Sequence, residues 1–241
     1  MSLLRELPER IQDRLIVALD VPTIGEARDL VGELDGLVSF FKVGLWLQFV
    51  AGFDSLIDEL IKRGKKIFLD VKMFDIGETV KQGVARAVER GVNFVTVHGD
   101  GEIMKAAVEG RGDSGLKIFA ITVLTSVDQD GLRDLGYLCS VEELIRLRVQ
   151  RSIACGCDGI IAAPHDNPNR IRQLAGEERL LIATPGVRLA GTSADDHKRP
   201  GTPEQAIAAG ADYLVVGRPV VNSNDPVLAA MRIIEDMRRG A

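Results

Sequence analysis

Cysteine and histidine are scarce in this chain, at three residues each among 241. Cys139, Cys155 and Cys157 are a small, odd set for a disulfide framework, and the single Gly between the last two leaves them too close for an ordinary bridge. Reduced thiols are expected. His98, His165 and His197 stand far apart, without the short spacings of a zinc or haem site, so no dedicated metal centre is expected. No Ser or Cys nucleophile with a partnered His stands out either. Positive charge is not in excess: 30 Lys and Arg against 35 Asp and Glu leave a formal net charge of −5. Nucleic acid releases its counterions to clustered Lys and Arg, and with no basic run it is not an expected partner. No apolar run reaches the roughly 18–20 residues of a membrane span, and the charged start, MSLLRELPERIQDR, is unlike a signal peptide. The expectation is a cytoplasmic protein with no membrane partner. Linkers rich in Pro, Ser or Gly are missing as well, so residues 1–241 are expected to form one domain.

Apolar residues, by contrast, make up 46% of the chain against 27% charged, the balance of a globular protein with a sizeable core. They gather into eight short runs rich in Val, Ile and Phe, at 15–20, 37–44, 66–72, 92–99, 116–124, 157–163, 179–186 and 212–217. Near-continuous apolar runs suit parallel strands covered by helices, where exposed antiparallel strands would alternate. Amphipathic segments at 25–36, 54–64, 78–91, 141–156 and 202–211 lie between them, several ending in Gly as helices do. Strand alternating with helix is the pattern of βαβ crossovers. Eight units over the chain come to about 30 residues each, close to the length of a closed barrel. No G-x-G-x-x-G turn follows the first run, where an open dinucleotide-binding sheet would carry one. The expected fold is therefore α/β, a single (β/α)8 TIM barrel.

In such a barrel the chemistry sits where strands end. Those ends carry Asp20 on the first run, Lys42 on the second, Asp70 and Lys72 on the third, and Asp75 just beyond. Each closes an apolar run, and a buried charge is costly unless an opposite charge meets it. Strand alternation puts Asp70 and Lys72 on one face, and Lys42 on the neighbouring strand can lie beside Asp70. The result is an alternating array of Lys42, Asp70 and Lys72, with Asp75 added from the loop. One such pair would read as a structural ion pair, whereas four charges gathered at the catalytic end point to function. Lys72 could serve there as a proton donor, an electrostatic stabiliser or a Schiff-base amine. Across the mouth, the seventh run ends in TPGVR (Pro185, Arg188) and the eighth in VVGRP (Gly217, Arg218). Loops at those positions often grip phosphate, and the two Arg add charge-assisted hydrogen bonds. The polar stretch 188–202 is expected to be a lid. The combination suits a small phosphorylated metabolite.

These residues resemble the orotidine 5′-phosphate decarboxylase family over nearly the whole chain. The matches are ALD (Asp20), FKVG (Lys42), DVKMFDI at 70–76, LTS (Thr125, Ser126), TPGVR (Arg188) and VVGRP (Gly217, Arg218). The resemblance implies a homodimeric barrel that uses no cofactor and no metal. It implies conversion of orotidine 5′-monophosphate to UMP and CO2, in de novo pyrimidine biosynthesis. Lys72 would stabilise and protonate the C6 carbanion, and Asp70 would lie near the substrate carboxylate. Lys42 and Asp75 would hold the array in register, Asp75 arriving from the partner subunit. Among binding residues, Asp20 would accept from ribose hydroxyls with Lys42 and Thr79 near the same sugar. Thr125 and Ser126 would read the pyrimidine, and Arg188, Gly217 and Arg218 the phosphate, with Ile76 and Pro185 also bordering the substrate. His197 falls where the family usually has a lid Gln, so it is either a donor to phosphate in place of that Gln or a solvated loop histidine. Phe74, Gly77 and Glu78 replace the His, Pro and Asn of the common bacterial form. Gly77 is shared with magnesium-dependent kin, 3-keto-L-gulonate 6-phosphate decarboxylase and hexulose-phosphate synthase. Their second strand usually ends in a metal-binding carboxylate, and Lys42 in that place would repel Mg²⁺.

Overall fold

The computed structural model describes residues 6–166, 168–175, 180–189 and 201–241. Among them run eight parallel strands: β1 (Leu15–Ala18), β2 (Phe40–Gly44), β3 (Lys66–Met73), β4 (Phe94–His98), β5 (Lys117–Ile121), β6 (Gly159–Ile161), β7 (Leu181–Pro185) and β8 (Tyr213–Val216). Each pairs with the next and β8 pairs with β1, closing the barrel. Every expected apolar run coincides with one strand, β3 reaching one residue past the end of its run. The amphipathic segments become α1 (Ile24–Glu33), α2 (Phe53–Lys62), α3 (Gly77–Glu89), α6 (Val141–Cys155) and α8 (Pro203–Ala208). Five more helices lie outside those segments: α4 (Gly101–Arg111), α5 (Gln129–Asp134), α7 (Pro168–Ala175), α9 (Arg218–Val221) and α10 (Pro226–Arg239).

Local chemistry sets the helix ends. Ser140 and Glu143 form a reciprocal capping box that opens α6, and Gly156, at φ 81°, closes it in the left-handed region where a side chain would be strained. The amino-terminal rim of the barrel is tied by three residues that each precede a strand. Asn93, Asp158 and Asp212 accept, at 2.8 Å, the backbone N–H of Ile67, Ile118 and Ile182 on the preceding strand. Arg111 also bonds Asp158, and Arg172 bonds the fully buried Asp212 at 2.5 Å. These ties belong to the stability face, opposite the end where chemistry is expected.

Strand residues divide between two cores. Val17, Phe41, Val43, Ile67, Val95, Ile118, Ile160, Ile182 and Leu214 pack with the helices, while Ile16, Ala18, Phe40, Phe68, Phe94, Phe119, Leu181, Ala183, Tyr213 and Val215 cluster in the lumen. The chain has only 8 Phe, 2 Tyr and 1 Trp. Phe40, Phe68, Phe94, Phe119 and Tyr213 nevertheless meet in the lumen, with neighbouring ring centroids 4.6 to 6.0 Å apart. Edge-on and offset contacts of this kind add to the area they bury. The next inward position on β2, β3 and β4 is Lys42, Asp70 and Thr96, so the rings form a floor beneath those side chains.

Gly159 makes room for that floor. A Cβ there would collide with the Phe119 ring and lie 2.8 Å from the Leu181 carbonyl. Gly159→Ala is expected to lower stability by about 1–3 kcal/mol through overpacking, read from urea unfolding. An unchanged midpoint would show that the floor yields.

Candidate active site

Asp20, Lys42, Asp70 and Lys72 form one row of alternating charge at the carboxyl ends of β1, β2 and β3. The Lys42 ammonium lies 3.0 Å from Asp20 Oδ1 and 3.4 Å from Asp70 Oδ2, and the Lys72 ammonium lies 2.9 Å from Asp70 Oδ1. The middle of the row is covered and its ends are open. The side chains of Lys42 and Asp70 are 11% and 14% exposed, against 40% for Asp20 and 45% for Lys72. A molecule entering the mouth therefore meets a carboxylate at one end and an ammonium at the other.

Burial opposes both inner charges, and their neighbours overcome it. Desolvation pulls the Lys42 pKa down, but Asp70 and Asp20 outweigh it and hold the ammonium above its ordinary range. Desolvation pushes Asp70 up, but Lys42, Lys72 and the Thr96 hydroxyl hold it below the ordinary carboxylate range. The signs give a pH window. The contribution of charged Asp70 is present above the unfolded value, about 3.9, and is lost as pH falls through the lower folded value. That of Lys42 is present below about 10.4 and is lost as pH rises through the higher folded value. Thermal unfolding followed against pH is expected to show no loss from Asp70 or Lys42 between about pH 5 and pH 9, and Asp70→Asn should remove part of the acid limb. An acid limb unchanged in that variant would refute the coupling.

Two glycines shape the Asp20 end. A Cβ at Gly44 would lie 3.2 Å from Asp20 Oδ1, and one at Gly217 would lie 3.1 Å from Oδ2. Gly217 thus borders Asp20, bringing the end of β8 against the end of β1. Beyond it, Arg188 and Arg218 line one cavity of about 480 Å³ with Asn222, Ser223 and Arg232. Arg188 is buried and donates to the Val187 carbonyl at 3.0 Å, and its own backbone N–H bonds Gly201 at 3.0 Å. The two arginines expected at a phosphate therefore share one concavity.

Asp70 and Lys72 come together by a different route from the regular alternation expected. Leu69 pairs with Val95 and Met73 with Val97, so Asp70, Val71 and Lys72 all stand opposite Thr96 alone. This bulge carries Lys72 to φ 48°, the only positive φ of a non-glycine residue among those described. Bulges re-aim side chains in this way.

Other expected residues are placed apart from the row. Asp75 is exposed, accepts the Ile76 backbone N–H at 2.7 Å, and forms no ion pair among the described residues. Ile76 is 73% exposed at the cap of α3, with Thr79 exposed in its first turn. Thr125 and Ser126 line a cavity of about 430 Å³ with Gln129, Glu142, Arg146 and Arg170, and no member of the row lines it. Pro185 is the half-buried last residue of β7. His197 lies outside the described residues, as does most of the stretch expected to be a lid. Thr96 is the functional candidate that sequence reasoning missed. It is fully buried, donates to Asp70 Oδ1 at 2.9 Å and accepts from the Lys72 N–H at 2.8 Å. Its signal was a lone hydroxyl inside the apolar run VNFVTVHG.

Residues 13–233 match the profile of the Orotidine 5'-phosphate decarboxylase / HUMPS family. The chain belongs to this family. Among curated relatives of that decarboxylase name, the Rhodopseudomonas palustris (strain BisB5) protein is 46% identical over 226 residues, 94% of this chain and 95% of the relative. The Afipia carboxidovorans protein is 46% identical over 232 residues, 96% and 97% of the two chains. The crystal structure of orotidine 5'-phosphate decarboxylase from Lactobacillus acidophilus superposes with a TM-score of 0.81 at 32% identity, covering 93% of this chain and 99% of that one. The matched span, residues 13–233, runs over all eight strands of the barrel and contains the charged row. Among the described residues no group of three or more His, Cys, Asp or Glu is placed to hold a metal ion, and no helix is long and apolar enough to cross a membrane.

Proposed function

We propose that this chain decarboxylates orotidine 5′-monophosphate to UMP and CO2, without a cofactor, as one cytoplasmic barrel domain serving de novo pyrimidine biosynthesis. The observation that carries this reading is the row Asp20, Lys42, Asp70, Lys72. When the C6 carboxylate leaves as CO2, the bonding electron pair stays on C6 in the plane of the ring, where the π system cannot spread it. A fixed cation beside that carbon lowers the barrier, and preorganised charge is effective because it need not be rearranged during the reaction. Lys72 supplies that cation, with Asp70 holding the ammonium and protons left to give. The carbanion takes one to form the C6–H bond of UMP, and the resulting neutral amine recovers a proton from water. Asp70 stands where a substrate carboxylate would be repelled and a departing CO2 would not, so part of the binding energy is released in the transition state. Lys42 keeps Asp70 ionised, Asp20 faces the ribose, and Arg188 and Arg218 receive the phosphate.

The proposal includes a homodimer. Trp46, Phe49, Phe74 and Ile76, beyond the carboxyl ends of β2 and β3, are 59%, 83%, 69% and 73% exposed. Large apolar side chains gathered at one end of two adjacent strands favour a covering partner. Asp75, between two of them, would be delivered to the site of a second copy, with Ile76 and Thr79 alongside.

Purified protein incubated with orotidine 5′-monophosphate and EDTA is expected to produce UMP. Absence of UMP would overturn the reading, and Mg²⁺-dependent turnover of 3-keto-L-gulonate 6-phosphate would replace it with that of the magnesium-dependent kin.

A further inference from the structure

We propose that Thr96 is a positioning residue for this reaction: its hydroxyl holds the Lys72 backbone and the Asp70 carboxylate in the one arrangement that aims the Lys72 ammonium. The inference rests on the decarboxylase reading for its chemistry but on the β3–β4 contact for its geometry. Three residues of β3 face Thr96 alone, so the bulge takes the Lys72 N–H out of the regular strand ladder. A backbone N–H shielded from water needs another partner. Thr96 Oγ1 accepts it at 2.8 Å and donates its own proton to Asp70 Oδ1 at 2.9 Å.

The polarity of this chain is fixed from both ends. An amide N–H only donates and an ionised carboxylate only accepts, so the single hydroxyl proton must point at Asp70. The same oxygen, Oδ1, also accepts the Lys72 ammonium at 2.9 Å. Lys72 is thus bound at its backbone and at its side-chain tip to the two ends of one hydrogen bond. That closed ring accounts for a lysine held at φ 48°, since a sparsely populated backbone conformation persists only where its surroundings over-determine it. The hydroxyl itself is buried, so it reaches the reaction through Asp70 and Lys72.

Thr96→Val keeps the shape and removes the hydroxyl, and Thr96→Ser keeps the hydroxyl and removes the methyl. Thr96→Val is expected to lower kcat by about 10- to 100-fold, the range of one hydrogen bond to a charged group, with KM and UMP affinity little changed. Thr96→Ser should return most of the rate. Lys42 and Lys72 are the charged groups facing Asp70, with Asp20 beyond Lys42, and all remain in both variants. The Asp70 carboxyl, followed by carbon NMR, should therefore titrate at higher pH in Thr96→Val and near its original position in Thr96→Ser. Wild-type kcat in Thr96→Val, or equal losses in both variants spread over kcat and UMP affinity, would overturn the proposal. If the unaltered protein makes no UMP, the functional reading fails by itself. The Asp70 titration then decides the inference, and an unmoved midpoint in Thr96→Val overturns it.

Discussion

Lys72→Ala is expected to lose about 10⁴-fold or more of the decarboxylation rate, the combined range of a proton donor and a preorganised electrostatic stabiliser, while still binding UMP. The two halves of this result arise at opposite sides of the mouth. Affinity for the product would come from Arg188, Arg218 and Asp20, none of which bonds Lys72. Asp70 keeps Lys42 at 3.4 Å and the Thr96 hydroxyl at 2.9 Å, so its charge is not stranded when the ammonium is removed. Release of CO2 from carboxyl-labelled substrate, together with calorimetric titration of UMP, separates rate from binding. Ordinary activity in the variant would refute the role of Lys72, and loss of UMP binding would show that it grips the ligand as well.

Complementation between two inactive variants should show the second large effect. If Asp75 completes the partner's site, Lys72→Ala and Asp75→Asn are each inactive, yet a mixed dimer contains one site with both residues intact. Random reassociation of equal amounts makes half the dimers mixed, each with one working site of two, so activity should return to about a quarter of the wild-type level. If Asp75 served the site of its own chain, both sites of the mixed dimer would be defective and no activity would return. The assay thus tests the dimer and the crossing of Asp75 in one measurement, with each variant alone as its control.

The barrel was legible because each strand is a short apolar run with a clear end, and eight such runs alternating with helices admit few other architectures. The charged row was legible for a related reason: ionisable residues rarely close apolar strands without partners, so Lys42, Asp70 and Lys72 stood out one by one. Its membership was not. Asp20 joins the row through Lys42, while Asp75, expected within it, lies outside it in the single chain. That exchange depends on the space left by Gly44 and Gly217, which come from two other strands. The β3 bulge was hidden for a different reason: period-two patterning assumes a regular strand, and three residues facing one leave no mark in a list of apolar and polar positions. Thr96 was hidden with it, since its task exists only opposite the bulge.

The aromatic floor gives the barrel a single doorway. Phe40, Phe68, Phe94, Phe119 and Tyr213 pack across the lumen, so among the described residues these rings stand between the charged row and the amino-terminal rim. Any gas set free above the rings must leave by the route the nucleotide took in. On the proposed chemistry, the small product therefore departs past the large one, and whatever closes the mouth controls the escape of both.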